Sequence, residues 1–160
     1  MRFLIKMLAP IIFALAYGVF RSSFFKRSRK RHEWLMKIFR FCADNDHTKA
    51  LSVYGHLLHF RGDGVENRIQ GGIYLHRAAD HGDMKAQYQM GRIFEEGFEH
   101  YFSANEEKAL RYYQQAAEQG HTLAISRLMK VFSSGELGQP ADAAKAEMWQ
   151  RRQPALPTSP

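Results

Sequence analysis

AQYQMGRIFEEGFEHYFSANEEKALRYYQQAAEQG, residues 86–120, is the stretch whose reading decides the fold. Its opening, A-Q-Y-Q-M-G (86–91), echoes A-L-S-V-Y-G (50–55), 36 residues earlier, and more loosely A-I-S-R-L-M (124–129), 38 residues later. Its close, Q-A-A-E-Q-G (115–120), echoes R-A-A-D-H-G (77–82), 38 residues earlier. The two elements alternate along the chain. Such a period of 20–50 residues is the signature of a repeat architecture. Between the elements the apolar residues keep helical spacing, as in Tyr54, Leu57, Leu58 and in Leu110, Tyr113, Ala116, Ala117. No segment sustains strand alternation, so the body is expected to be all-α.

Punctuation and residue size agree with that reading. Gly62, Gly82, Gly97, Gly120 and Gly135 follow the helical runs, where left-handed C-caps are expected. Ser103-Ala104-Asn105-Glu106 has the form of a capping box opening the helix that ends near Gly120. Paired alanines at 78/79 and 116/117, with Ala50, Ala86, Ala109 and Ala124, stand where helices must approach closely. Tyr54, Phe94, Tyr112 and Phe132 are large enough to fill the space between layers. A single helical pair cannot bury its apolar face, so successive pairs stack. The expected fold is a short right-handed α/α solenoid of helix-turn-helix repeats, preceded by an N-terminal hydrophobic helix.

These residues resemble the Sel-one-like repeat (SLR) family, an α/α repeat related to tetratricopeptide repeats. Its pattern runs A-x-x-x-L-G-x-x-Y-x-x-G-x-G-V, then K-A-x-x-W-Y-x-K-A-A-x-x-G. Ala86, Met90, Gly91, Phe94, Gly97, Lys108, Ala109, Tyr112, Tyr113, Ala116, Ala117 and Gly120 carry the match in one unit. Ala50, Tyr54, Gly55, Gly62, Gly64, Val65, Ala78, Ala79 and Gly82 carry it in the unit before. A third unit starts at Ala124, has Met129 in place of the glycine, and resumes at Lys145-Ala146 and Trp149. Upstream, Cys42-Ala43 takes the alanine-pair position of a partial unit containing Trp34. The resemblance implies a repeat domain over 34–152, made of a partial unit at 34–47 and units at 48–83, 84–121 and 122–152. Two departures stand out. The G-x-G-V turn after Gly97 is replaced by FEHYFSANEE, and Gly71-Gly72 falls where a Lys-Ala pair normally opens a helix, predicting a ragged start there.

Charge separates the N-terminus from this body. The 160-residue chain carries a formal net charge of +7. Residues 1–33 hold eight Lys/Arg and one acid, while residues 34–160 hold 15 of each sign. The excess is confined to one short block, which argues against a nucleic-acid-binding domain. Residues 7–20 carry no charge and would span roughly 21 Å as a helix. Flanking apolar residues and the snorkelling stems of Lys6 and Arg21 lengthen that reach, and Pro10 lies early in the segment. Residues 1–25 therefore form a retained membrane anchor, a signal-like segment with an A-x-A site at Ala14-Leu15-Ala16, or a helix lying on the membrane surface. The basic juxtamembrane stretch 26–33 favours retention, with the repeat domain on the cytoplasmic side. Cleavage would instead place it in the periplasm or outside the cell. A buried core helix is disfavoured, because the flanking cations lack counter-charges nearby in sequence. Residues 153–160, rich in proline, read as a disordered tail.

The chemistry-bearing residues do not converge. His56 and His59 share a helix face, but no Asp, Glu or Cys completes a metal set near them. Gly62-Asp63-Gly64 lacks the Gly-Lys-Ser/Thr of a phosphate loop and reads as the inter-helix turn. Asp44-Asn45-Asp46 lacks the remaining positions of a calcium loop and reads as a helix-terminal turn. The one cysteine, Cys42, excludes an intrachain disulfide and reads as a small core residue. No catalytic residue, cofactor or metal site is expected.

What remains is surface. By analogy with related repeats, the first helix of each pair should line the inner face. The position after the family glycine is His56, Arg92 and Lys130 in the three units, and Gln89 and Arg127 join them. This basic row is expected to bind an acidic segment of a protein partner. The aromatic loop, with Phe98, Tyr101 and Phe102, is a second candidate contact, or else a cover for the repeat's own core. The expected function is a non-enzymatic, membrane-tethered adaptor. Alternatives are an accessory or immunity-type binding protein of the cell envelope and, from another class, a hydrolase-like activity. Self-association through the terminal layer is compatible with so short an array.

Overall fold

In a computed structural model, residues 2–22 and 29–154 are described. They contain eight α-helices and no strand. Residues 23–28, with the start of the basic stretch at Lys26 and Arg27, and residues 155–160 of the tail lie outside the described residues. The chain divides into two compact units, Met1–His81 and Gly82–Pro160.

The first unit contains α1 (Arg2–Arg21), α2 (Arg29–Asp44), α3 (Thr48–Arg61) and α4 (Gly64–Asp80). Helix α4 begins at Gly64 and not at Gly71, so the ragged start is corrected. Gly71 and Gly72 lie mid-helix and buried, and their smallness is what lets α3 and α4 touch. A Cβ on Gly71 would sit 2.2 Å from the His59 amide nitrogen, and one on Gly55 would sit 2.9 Å from that of Leu75. The two backbones meet at these glycines, which outweighs the cost of glycine to the helix. The turn between them runs through Gly62 and Asp63, but Gly62 is extended (φ −65°) and not left-handed as expected. Gly82, Gly97, Gly120 and Gly135 do take positive φ.

Helix α1 packs along α2 in the opposite direction. Phe20 meets Phe39 edge-on at 5.5 Å, Phe13 lies against Phe39 and His47, and the Cys42 thiol donates to the Ala9 carbonyl at 3.6 Å. Ala9, Phe13 and Ala16 are buried. The counter-charge missing near Lys6 in sequence comes from Asp46, 4.0 Å away. One face of α1 is thus packed, through partners distant in sequence, while the opposite face is bare and the helix as a whole is not a buried core helix. Asp46 also pairs with Arg77 at 2.6 Å, and the Tyr74 hydroxyl donates to Asp44 at 2.6 Å.

The second unit contains α5 (Met84–Glu96), α6 (Glu106–Glu118), α7 (Thr122–Ser134) and α8 (Ala143–Arg151). Its two hairpins are built alike. The Asn105 amide donates to the Phe94 carbonyl and the Asp142 amide to the Phe132 carbonyl, both at 2.6 Å. Each donor residue is also the N-cap of the second helix, accepting from Lys108 or Lys145. Asn105, two residues beyond Ser103, is therefore the cap of α6, which corrects the expected capping box. The alanines at 50, 78, 79, 86, 109, 116, 117 and 124 are all buried, as are Tyr54, Phe94, Tyr112 and Phe132.

Candidate protein-interaction face

The first helices of the repeat units share a start signal. His47, Asp83 and His121 each cap a helix by accepting from the amide of Ala50, Ala86 or Ala124. A histidine can do this only through an unprotonated Nδ1. Burial holds the imidazoles of His47 and His121 below their ordinary range, which favours that form.

On α5 and α7 the charged side chains form a network. Arg127 of α7 reaches Glu95 of α5 with Nε 3.2 Å from both carboxylate oxygens and with a further contact from Nη2. The same Nη2 lies 2.6 Å from Glu136, just beyond α7. The Tyr113 hydroxyl of α6 donates to Glu95 at 2.6 Å. Burial works against the charged carboxylate of Glu95, but the hydrogen bonds from Arg127 and Tyr113 outweigh it and hold the group below its usual range. Burial and the same carboxylate push the Tyr113 phenol far up. The Arg127 side chain is 19% exposed, and its charge is matched within the unit. It is therefore not available to the basic row expected from sequence.

The other expected contact residues separate into two groups. Gln89 is buried, and so is Phe102, whose ring meets Phe94 edge-on at 6.0 Å. Phe98 and Phe102 exchange backbone hydrogen bonds of 2.8 and 3.0 Å, closing the loop so that Phe102 covers the repeat's own core. Neither Gln89 nor Phe102 can serve as an exposed contact. Tyr101 is exposed and Phe98 half-buried. Arg92 is exposed and lies 3.6 Å from Glu96 one turn on, a loose surface pair of little energetic weight. Lys130 is exposed on the rim of an open groove between α7 and α8, which Ser126, Met129, Ser133 and Glu147 also line.

In the first unit His56 is half-buried on α3, its ring stacked over Phe60. The Ser52 hydroxyl lies 3.4 Å from His56 Nδ1. That nitrogen is also 2.7 Å from the Ser52 carbonyl, which can only accept. Nδ1 therefore carries the proton and is no base for the hydroxyl. No group of three or more His, Cys, Asp or Glu suited to a metal occurs among the described residues.

Sequence reasoning missed Glu95, Tyr113 and Glu136 as partners of Arg127. Glu95 lies 32 residues from Arg127, and only the repeat offset that brings α5 beside α7 could have suggested the pair.

The family model of the Sel1 repeat matches residues 48–83 and 85–121, the two units whose hairpins are α3/α4 and α5/α6. These units belong to the Sel1 repeat family. Three solved structures share the fold. A Sel1 repeat protein from Oxalobacter formigenes is 22% identical with a TM-score of 0.73, covering 89% of this chain and 56% of that one. A protective antigen present in uropathogenic Escherichia coli strains, displaying an SLR fold, is 21% identical with a TM-score of 0.62, over 74% of this chain and 25% of that one. A Pseudomonas aeruginosa protein is 24% identical with a TM-score of 0.53, over 72% and 42%. The chain thus spans about half the length of the first of these relatives and a quarter of the second. A search of curated proteins finds no match. The body has the fold of SLR α-solenoid proteins.

Proposed function

We propose that the chain is a non-enzymatic adaptor, tethered to a membrane through α1, that captures an acidic segment of a protein partner on the face presented by α5 and α7. The observation that carries this reading is a difference among three cations. Arg127 is largely buried and neutralised by Glu95 and Glu136, whereas Lys130 and Arg92, the latter in only a loose pair with Glu96, are exposed. A salt-bridge hub fixes the two helices, and the outer cations sit on that fixed scaffold. An extended or helical peptide suits an open repeat surface better than a small substrate does. The tether rests on α1, which is long and apolar enough to enter a bilayer, and on the basic run that follows it, which favours a cytoplasmic repeat domain.

The test is co-purification from detergent-solubilised membranes, comparing the natural chain with Arg92→Glu/Lys130→Glu. One stoichiometric partner should be recovered with the natural chain and lost with the double variant, while circular dichroism stays unchanged. Undiminished capture by the double variant removes the acidic-segment reading. A periplasm-active reporter fused to the C-terminus should stay silent, and strong reporter activity would reverse the orientation.

A further inference from the structure

The two faces of α1 differ in a way that bears on how the tether meets the membrane. The inward face is engaged along nearly its whole length, from Lys6 against Asp46, through Ala9 against Cys42 and Phe13 against Phe39, to Phe20 against His32. Tyr17 adds a contact with the Lys49 ammonium, 5.5 Å from its ring. The outward face carries Leu4, Met7, Leu8, Ile11, Leu15 and Gly18, all exposed. Leu4, Ile11 and Gly18 are seven residues apart and fall on one stripe, with no charged residue between 7 and 20.

A helix docked in this way cannot also cross a bilayer. Crossing would draw α2 into the hydrocarbon beside it, together with the exposed Lys37, Arg40 and Asp44. The geometry points to a different arrangement: α1 stays on α2 and lies in the plane of the membrane interface, its outward stripe sunk among the acyl chains of an anionic lipid surface. The repeat body takes the place of the polar face that a free interfacial helix would need. Charge chooses the occupant. The first carboxylate of the sequence is Glu33, Lys6 and Arg21 bound the uncharged run, and the sequence from Lys26 to Arg31 adds five more Lys/Arg. That pattern complements lipid phosphates and would repel a second copy of the same segment.

This inference rests on the tether reading and is separable from it. Cysteines are placed singly at Leu4→Cys, Ile11→Cys and Gly18→Cys in full-length chain carrying Cys42→Ala, and labelled with an environment-sensitive fluorophore. The proteins are diluted from detergent into vesicles of phosphatidylcholine and phosphatidylglycerol bearing a quencher either shallow or deep in the acyl chain. An in-plane helix is quenched to a similar extent at all three positions, several-fold more by the shallow quencher than by the deep one. Quenching by the deep lipid that peaks at Ile11→Cys and falls at both flanks would show a crossing helix, overturning the in-plane arrangement and keeping the tether. Absence of quenching at every position, whether the protein is monomeric or paired through this face, would overturn both.

Discussion

The ring of Tyr113 lies directly over the α-carbon of Gly91, so close that a Cβ built there would stand 2.6 Å from its Cδ1. The family glycine therefore leaves room for the second helix of its own hairpin. In the first unit Gly55 and Gly71 go further and bring two backbones into contact. Gly71→Ala should cost about 1–3 kcal/mol or more, because the clash is with a backbone amide that cannot rotate away. Gly91→Ala should cost less than Gly71→Ala, since the Tyr113 ring can shift. At Gly18 a Cβ meets nothing within 4 Å, so Gly18→Ala should be neutral or gain up to about 1 kcal/mol in helix propensity. Chemical denaturation of the three variants gives the ranking.

Much of this was legible in the sequence, for a physical reason. Buried alanines, aromatics at layer positions and glycines after helices recur because each unit solves the same packing problem, so the hairpins could be read from spacing. What spacing could not convey was anything set by a neighbour far along the chain. Gly71-Gly72 reads as a weak helix start in sequence because Gly55, which lies across from Gly71, is 16 residues away along the chain. Arg127 reads as a free surface cation in sequence because its partners Glu95 and Glu136 lie 32 and 9 residues away along the chain. The inward face of α1 was hidden because Asp46 and Phe39, its partners, lie far from it in sequence.

The two histidine caps make stability depend on pH. His47 and His121 are held neutral in the folded protein and titrate in their ordinary range once unfolded. Their folded values are depressed, so the unfolded chain binds more protons as the medium is acidified. Their contribution is present in full above the unfolded value and is lost as pH falls through the folded one. The thermal midpoint should fall between about pH 7 and pH 5, and His121→Asn, which can still cap, should flatten that slope. A midpoint whose pH dependence is the same in this variant would remove the capping histidine as its cause.

Arg127 holds α5, α7 and the turn after α7 through a single guanidinium. Its replacement by methionine leaves the carboxylates of Glu95 and Glu136 without their shared cation, and should cost about 1.5–3 kcal/mol. Arg127→Lys keeps the charge but loses the planar fork that meets both acids, so it should fall between methionine and the natural residue. Tyr113→Phe removes one donor to Glu95 and should cost about 1 kcal/mol. A double-mutant cycle between Tyr113→Phe and Arg127→Met should be non-additive, because both act on one carboxylate.

Neighbouring aromatics in the loop after α5 should behave oppositely. Phe102 is buried against Phe94, and Phe94 in turn stacks on Tyr112 at 5.8 Å, so the three rings form one continuous core. Phe102→Ala should cost about 3–5 kcal/mol through the cavity it opens. Tyr101 is 55% exposed and touches that core only at the edge of the Phe102 ring. Tyr101→Ala should change stability by less than about 0.5–1 kcal/mol, because more than half of its surface stays in water on folding. Urea denaturation of the two variants separates the roles. If Tyr101→Ala leaves stability intact yet lowers partner recovery in the co-purification above, the loop contributes contact surface through Tyr101 while Phe102 holds it in place. If Phe102→Ala unfolds no more readily than Tyr101→Ala, the loop is not part of the core, and the closure by the Phe98–Phe102 backbone pair does not hold in solution.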